Sequence, residues 1–451
     1  ATGHRDSTQH TRLPVARKQE WAAPVLVPGA KASEQSLCPP TWPRLSGLRI
    51  VALFPHRADE GRSAELDQTE GKGRTVSKKI TDTLLPTTMI GSYPKPRWYT
   101  RYNLAGADLL EWWKLEENWH AWWDATTACI KDQELAGLDI VTDGQMHFDD
   151  YGGGIGSFVW YWYERLDGFT KAKLPNPLAR AIEESADGDL SQAAWMHNWG
   201  GTAVTGPVGR GIPGRLGEMH QAARQLTDKP LKVSVGAGPP NLTYHVDFNH
   251  PDSQYTEARR LAEDLVPIFN QDLKDLVAHG AEFIQIEDLG AWMLALDGKN
   301  DWVLDVLNGW IDGVEAKIAW HCCLGAGYGN TFRAVEDALP RVLERWMAVN
   351  VDQFALDFAL RDMADVKALE MVPKDREVQV GVIDIRTLYI ESDDVIVDRI
   401  HKALEYIEPE RVYLSTDCGL KALPRFCAYE KLKALSRAAA RVRSEINTGA
   451  A

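Results

Sequence analysis

The sequence lacks several features that would fix the class of protein at once. No apolar run approaches the roughly 18–20 residues that a membrane-spanning helix needs. The net charge is −14, which argues against a nucleic-acid partner because phosphate binding needs a basic face. No Gly-rich dinucleotide fingerprint follows the first β-rich run. We therefore predict a cytoplasmic protein with no membrane contact and no nucleic-acid partner.

Cysteine is scarce, with six residues in a chain of 451. These residues do not form the dense, regular pattern of a disulfide-rich secreted domain, and four of them lie late in the sequence, at 322, 323, 418 and 427. This distribution favours a reducing compartment and a metal-binding or catalytic use. The apolar fraction of 44% is ample for the core of one large domain or of two ordinary ones.

The first 75 residues differ in composition from the rest of the chain. They are rich in Arg, Pro, Ser, Gly and Gln, and their one short apolar run lies at 48–54. They do not contain the apolar segment that a signal peptide carries near its start. We predict that residues 1–80 are a disordered extension without chemistry, or sequence upstream of a true start such as Val76.

From residue 83 onward, β-rich apolar runs alternate with segments of helical length. Eight such βα units predict an α/β protein with a (β/α)₈ (TIM) barrel, and a doubly wound open sheet is the alternative. A long, aromatic-rich insertion at about 145–230 follows the second strand and is predicted to form a hairpin or lid over the barrel mouth. The predicted strands are 87–92, 138–144, 231–236, 282–288, 316–322, 352–357, 378–384 and 411–417.

Three of these strand ends carry side chains that bind metal ions. His321 and Cys323 end one run, Asp357 ends the next, and Cys418 follows the last. Together they offer two sulfurs, one ring nitrogen and one carboxylate, a set that suits tetrahedral zinc. His321 and Cys323 are two residues apart on an extended segment and point the same way, whereas Cys322 points to the opposite side. We predict that these four residues bind Zn²⁺.

The origin of the ligands indicates a catalytic site. They come from three separate strands, which suits a site that holds a substrate better than a structural zinc site. In a (β/α)₈ barrel, the carboxyl ends of the strands form the active site. Zinc keeps a thiol ligand deprotonated at neutral pH. The residues predict an enzyme that alkylates a thiol, and a barrel that stores or senses zinc is the non-enzymatic alternative.

Several motifs resemble one known family. Residues 83–445 are similar to the catalytic C-terminal barrel of cobalamin-independent methionine synthase, whose N-terminal half has no counterpart here. The resemblance implies that His321, Cys323 and Cys418 are zinc ligands, and that Asp357 takes the place of a glutamate ligand. The motifs that carry it are TTMIGSYP at 87–94, GPV at 206–208, IQIED at 284–288, HCC at 321–323, GVID at 381–384 and STDCGLK at 415–421.

The chain departs from the methionine synthases where that family contacts the ammonium group of its amino acid. A glutamate and an aspartate of the family are replaced here by Gln145 and Glu287. A neutral amide cannot pair with an ammonium group as a carboxylate does. Arg210, in a glycine-flanked segment, suits an anion instead. Ser92 and Asp384, which close strands in two of the motifs, complete the predicted substrate-binding set.

These departures resemble the single-barrel epoxyalkane:coenzyme M transferases. The resemblance implies that the zinc-activated thiolate of coenzyme M opens a short epoxide in an apolar cavity, which Trp160–Tyr163 would line. His147 and Tyr93 are the candidate proton donors. The alternative is methyl transfer from methyltetrahydrofolate or a methylcorrinoid to homocysteine. The expected partners are thus a small thiol and an alkyl donor, and homo-oligomer formation is left open.

Overall fold

The computed structural model describes residues 79–99, 116–148, 157–184, 193–194, 197, 199–212, 214–288, 301–323 and 338–449. All of these residues belong to one unit of the chain, Lys72–Ala451. The predicted extension at 1–80 lies outside the described residues except for its last two positions, so it stays a prediction. No helix in the described ranges is long and apolar enough to cross a membrane.

A parallel sheet forms the centre of the described structure. Seven strands pair in the order β1-β4-β5-β6-β7-β8-β9, while β2 and β3 form a separate antiparallel pair. Each of the seven falls on a run that the sequence predicts as a strand. The strands are β1 (Val141–Thr142), β2 (Asp167–Phe169), β3 (Val204–Gly209), β4 (Leu231–Ala237), β5 (Phe283–Asp288), β6 (Lys317–Cys322), β7 (Gln353–Asp357), β8 (Glu377–Ile383) and β9 (Val412–Thr416).

Helices alternate with the strands of the sheet, as the βα pattern of the sequence predicts. The two 21-residue helices and the 24-residue C-terminal helix are the longest in the described ranges. The helices are α1 (Glu116–Ala136), α2 (Ser157–Arg165), α3 (Pro177–Glu184), α4 (Leu216–Arg224), α5 (Pro239–Thr243), α6 (Ala258–Ala278), α7 (Trp302–Ile311), α8 (Ala338–Trp346), α9 (Asp393–Leu404) and α10 (Arg425–Thr448).

The first predicted strand, 87–92, closes the sheet into a ring. Thr87 forms a parallel bridge with Leu414 of β9, and the Thr88 amide donates to the Leu414 carbonyl at 2.9 Å. On its other side, the Thr87 carbonyl accepts the amides of Asp139 and Ile140, just before β1. The segment therefore joins the two edge strands. This closure confirms the (β/α)₈ barrel and excludes the doubly wound open sheet.

Residues of the strands alternate between the outer core and the barrel interior. In β8, Val378 and Val380 belong to the large core, whereas Gln379 bonds to a lysine of β4 inside the ring. Phe283 of β5 meets Tyr413 of β9 with 6.4 Å between ring centroids. Since β5 and β9 are separated by three intervening strands, this contact crosses the interior. The barrel is therefore filled by side chains.

The insertion between β1 and β4 contains the aromatic segment that the sequence singles out. The residues Trp160–Tyr163 lie on α2 and are at most 3% exposed. Trp162 packs on Phe269 of α6 with 4.6 Å between ring centroids, and the Tyr161 hydroxyl donates to the Gly214 carbonyl. Within the insertion, β2 and β3 pair antiparallel with α3 between them in sequence, so this pair is not a simple hairpin. The aromatic side chains build the core of the insertion, although the sequence suggested an open cavity wall.

One arginine of the last helix holds the closing segment in place. Arg443 of α10 donates from Nε to the Leu84 carbonyl at 2.7 Å and from a terminal nitrogen to the Leu85 carbonyl at 2.9 Å. It also pairs with Asp139, whose other contacts are the amide and hydroxyl of Thr87, each at 2.8 Å. Arg443 and Asp139 therefore clamp the segment that closes the ring.

We expect Arg443→Met to lower the free energy of unfolding by about 2–4 kcal/mol, because two carbonyls and a carboxylate lose a charged donor. Arg441 on the same helix pairs with Asp394 and Glu445 at the surface. The control variant Arg441→Met should cost less than about 1 kcal/mol. Chemical denaturation of the full chain measures both changes, and equal losses would contradict the role of the clamp.

Candidate active site

Three of the four predicted metal ligands meet at the carboxyl end of the barrel. His321 is the penultimate residue of β6, Cys323 directly follows that strand, and Cys418 lies just after β9. Their ligand atoms lie within 4.8 Å of one another, and the two sulfurs are 3.6 Å apart. Parallel strands direct their carboxyl ends to one rim, which is why residues 95 positions apart in sequence come together here.

The imidazole of His321 is oriented for a metal ion. Its Nδ1–H donates to the carbonyl of Ala355 in β7 at 3.2 Å. The side chain is buried, and Nε2 has no hydrogen-bond partner within the described part of the chain. A hydrogen bond of this kind from the second ring nitrogen fixes the ring in many zinc sites. Two thiols and one imidazole nitrogen are a donor set that fits zinc.

The pKa values of two of the predicted ligands reflect the excess of acidic groups at the site. Burial lowers the pKa of His321, but the nearby Cys323 sulfur and the charges of Asp357 and Glu287 outweigh this effect and raise the pKa to about 9. The hydrogen bond with Cys323, burial and the same two carboxylates raise the pKa of Cys418 well above its usual value. A bound cation would offset this crowding of negative charge.

Asp357, the fourth predicted ligand, lies outside the three-residue group. Its Oδ1 is 3.9 Å from Nδ1 of His321, the ring nitrogen that donates to Ala355. An aspartate is one methylene shorter than the glutamate expected at this position, so its carboxylate stays close to β7. The structure brings Asp357 next to the imidazole and does not gather it with the sulfurs. Its assignment as a ligand stays a prediction.

Asp417 is the last residue of the predicted strand 411–417. It anchors the chain after Asp357. Its Oδ1 accepts the amides of Phe358 and Ala359, each at 3.0 Å. Burial and the charge of Asp384 raise the pKa of Asp417 to about 8, although the two amides lower it. A Cβ at Gly381 would lie 2.3 Å from Oδ1, so β8 needs a glycine there.

Glu287 is the buried carboxylate of the predicted substrate site. Its Oε2 accepts from Nε2 of Gln145 at 3.2 Å, and its Oε1 accepts from Nε2 of Gln285 at 3.1 Å and from the hydroxyl of Ser234. Three neutral donors therefore surround it. Ser234 and Gln285 were missed in the sequence because each lies within a run read as a buried strand. Their alternation with apolar residues was the available signal.

Ser92 and Asp384 also lie at this rim. A Cβ at Gly419 would be 1.9 Å from Oγ of Ser92, which places the hydroxyl against the backbone beside Cys418. Asp384 receives two hydrogen bonds from the guanidinium of Arg386, at 3.1 and 3.0 Å, and one from its backbone amide, at 2.9 Å. The Asp384 charge is thus already paired. It also contributes to the raised pKa of Asp417.

Arg210 is not brought to this group. It follows β3 and its guanidinium pairs with Asp272, at 2.6 Å, and with Asp275, both on α6. These bonds raise the pKa of Arg210 despite its partial burial. Two carboxylates neutralise its charge, so the structure does not support the predicted anion-binding role.

The two candidate proton donors differ in position. The Tyr93 hydroxyl donates to Asp132 of α1 at 2.9 Å, which lies on the helix side of the sheet, and burial raises the pKa of Tyr93 above its usual value. His147 lies in the turn after β1, two residues beyond Gln145. It is 2% exposed, its Nδ1 is 3.5 Å from Asp143, and neither ring nitrogen has a hydrogen bond of good geometry within the described residues.

Comparisons with known proteins agree with this geometry. The family described as the catalytic domain of cobalamin-independent synthase matches residues 183–441. A methionine synthase from Sulfolobus acidocaldarius is 32% identical over 367 residues, covering 81% of this chain and 94% of the relative. A 2-hydroxypropyl-CoM lyase from Xanthobacter autotrophicus is 29% identical over 398 residues, covering 81% and 96%.

A solved structure is similar in fold as well as in sequence. The B12-independent methionine synthase from Shewanella sp. W3-18-1, in complex with selenomethionine, matches with a TM-score of 0.65 and 28% identity, covering 81% of this chain and 100% of that one. The family match spans more than half of the chain, and the curated relatives are covered almost completely. The chain therefore belongs to the cobalamin-independent synthase family of transferase-type enzymes.

Proposed function

We propose that residues 83–445 form a zinc-dependent enzyme that transfers an alkyl group to a thiol. The observation that carries this proposal is the meeting of His321, Cys323 and Cys418 within 4.8 Å at the barrel rim. When bound, zinc makes a thiol ligand acidic enough to remain a thiolate at neutral pH. Membership of the cobalamin-independent synthase family supports the same chemistry.

In this proposal the protein fixes the geometry of the donor set. Ala355 holds the His321 ring through Nδ1 and leaves Nε2 for the metal ion. Asp417 anchors the backbone that follows Asp357. Because Asp357 lies beside the imidazole and outside the three-residue group, we propose that it would hold the ion less firmly than the other three residues and would leave room for a thiol.

We expect Cys418→Ala to lose zinc, with at least a hundredfold weaker affinity, because one of three gathered ligands is removed. The matched control is Cys322→Ala. Cys322 is the neighbour of Cys323, and its side chain belongs to the outer core. Metal analysis after dialysis against a weak chelator measures the bound zinc. Full zinc content in Cys418→Ala would overturn the ligand assignment.

The preferred substrate pair in this proposal is coenzyme M and a short epoxyalkane such as epoxypropane. The support comes from Glu287, whose two oxygens accept hydrogen bonds from Gln145, Gln285 and Ser234. These neutral donors satisfy the carboxylate, so it does not require the ammonium group of an amino acid. The similarity to a 2-hydroxypropyl-CoM lyase points the same way. Arg210 has no part in this proposal.

Methyl transfer to homocysteine is the second candidate. Glu287 remains a buried carboxylate at the rim, and Oε1 of Gln145 accepts no hydrogen bond within the described residues. The side-chain oxygen of Gln145 and the carboxylate of Glu287 can therefore both face a donor group such as an ammonium. Several relatives at 29–32% identity are methionine synthases. The methyl donor would then be methyltetrahydrofolate or a methylcorrinoid.

A thiol panel separates the two candidates. We expect zinc-loaded protein to consume coenzyme M with epoxypropane at least ten times faster than homocysteine with methyltetrahydrofolate or a methylcorrinoid. Gln145→Glu should narrow this difference, since a second carboxylate favours an ammonium group. If the protein consumes homocysteine but not coenzyme M, and does so only when a methyl donor is present, the epoxide proposal is contradicted. Bound zinc without loss of any thiol would instead support zinc storage or sensing.

Epoxide opening needs a proton donor for the oxygen that leaves carbon. The thiolate sulfur forms a bond to one ring carbon, the carbon–oxygen bond breaks, and the resulting alkoxide takes a proton. We assign this proton to His147, which is buried beside Asp143 at the rim. Tyr93 is not assigned, because its hydroxyl is bound to Asp132.

We expect His147→Gln to lower kcat for epoxide opening by about a hundredfold or more, with unchanged zinc content. Tyr93→Phe is the control, since it removes one hydroxyl that faces α1. It should leave kcat within about twofold and cost about 1 kcal/mol of stability. Initial rates at saturating thiol and epoxide measure both variants. A large loss of kcat in Tyr93→Phe with full activity in His147→Gln would reverse the assignment.

A further inference from the structure

A buried lysine lies beneath the substrate site, and the mechanism above does not use it. Lys232 of β4 is fully buried in the barrel interior. Burial lowers the pKa of Lys232 to about 7, and the charge of Glu287 opposes this shift. No carboxylate of the described residues lies within ion-pair distance of its amine. Its role must therefore lie in the hydrogen bonds that it donates.

Lys232 donates to two amide oxygens. Its Nζ is 2.7 Å from Oε1 of Gln285 and 2.7 Å from Oε1 of Gln379. The protonated amine has no acceptor, so in that form both glutamine side chains turn their oxygen toward it. The orientation of an amide that could otherwise flip is thereby fixed. For Gln285, this leaves the NH₂ group on the side away from Lys232.

The NH₂ group of Gln285 points toward the rim. Its Nε2 donates to Oε1 of Glu287 at 3.1 Å and to Oγ of Ser234 at 3.2 Å. Ser234 accepts this bond, and its hydroxyl donates a hydrogen bond to Glu287. If Gln285 were reversed, its oxygen would face the carboxylate, and Ser234 would lose a donor. The hydrogen bond from Lys232 to Gln285 therefore helps to set which groups donate and which accept in the rest of the network.

We propose that Lys232 is a positioning residue for the substrate site, because it fixes Gln285 in the orientation that holds Glu287. The identity of the group that Glu287 then binds rests on the proposed function. The orientation of the amide does not, since it follows from the contacts that Gln285 makes with Lys232, at 2.7 Å, with Gln379, at 3.4 Å, and with Glu287. The hydrogen bonds that Lys232 donates reach Gln285 and Gln379 among the described residues, so its hydrogen-bonded connection to Glu287 runs through Gln285.

A second buried lysine supplies a matched control. Lys317 of β6 donates to the hydroxyl of Tyr413 at 2.9 Å and pairs with Glu377. Both lysines lie over the ring of Phe283, at 5.7 Å for Lys232 and 5.5 Å for Lys317. Lys317 has no bond to Gln285 or Glu287 among the described contacts. Replacing it perturbs the same interior without touching the network.

The first test compares kinetic constants of the zinc-loaded variants. We expect Lys232→Met to raise KM for the thiol about tenfold with kcat within twofold, and Lys317→Met to leave both unchanged. Lys232→Gln retains N–H donors and should restore most of the affinity. Gln285→Leu should also raise KM, and the double variant Lys232→Met/Gln285→Leu should be no worse than Gln285→Leu alone. Additive losses would overturn the inference.

The second test needs neither zinc nor turnover. In protein labelled with ¹⁵N at glutamine side chains, the Gln285 amide is assigned by its absence in Gln285→Leu. We expect Lys232→Met to move this resonance, because the bond to Glu287 is lost, while Lys317→Met leaves it in place. An unmoved resonance in folded Lys232→Met would refute the positioning role. If no thiol is consumed by the wild type, the proposed function fails and this measurement still decides the inference.

Discussion

Closure of the parallel sheet is the constraint on which the site depends. The Thr87 segment joins β9 to the chain before β1, and every strand of the ring then points its carboxyl end to one rim. His321, Cys323 and Cys418 reach each other only because of this shared direction. Without closure, β9 would be an edge strand held only by β8, and the curvature that brings Cys418 to the other two ligands would be less constrained.

The sequence was sufficient to predict the features that depend on residue types at strand ends. The ring, its strands and the gathering of His321, Cys323 and Cys418 follow from apolar runs that stop at polar residues. The pairing of Arg210 could not be predicted, because its partners lie 62 and 65 residues away on a helix face. Such pairing is set by tertiary packing, and no local pattern of glycines around an arginine records it.

The interior network was harder to predict for a different reason. Lys232, Ser234 and Gln285 interrupt runs of Val and Ile, and a buried strand tolerates such residues only when each finds a partner across the barrel. Their partners come from other strands, so the sequence shows the polar positions without their pairing. The same limit applies to Asp357, whose distance from the sulfurs depends on one methylene and on the anchoring by Asp417.

The clamp of Arg443 on Leu84, Leu85 and Asp139 has a consequence for the order of folding. The bond between Thr87 and Leu414 joins residues more than 300 positions apart, and contacts of such separation form late because of their entropic cost. A ribosome-bound chain that has not yet released β9 and α10 cannot close its barrel. Zinc would then find its three ligands assembled only after β9 and α10 have left the ribosome.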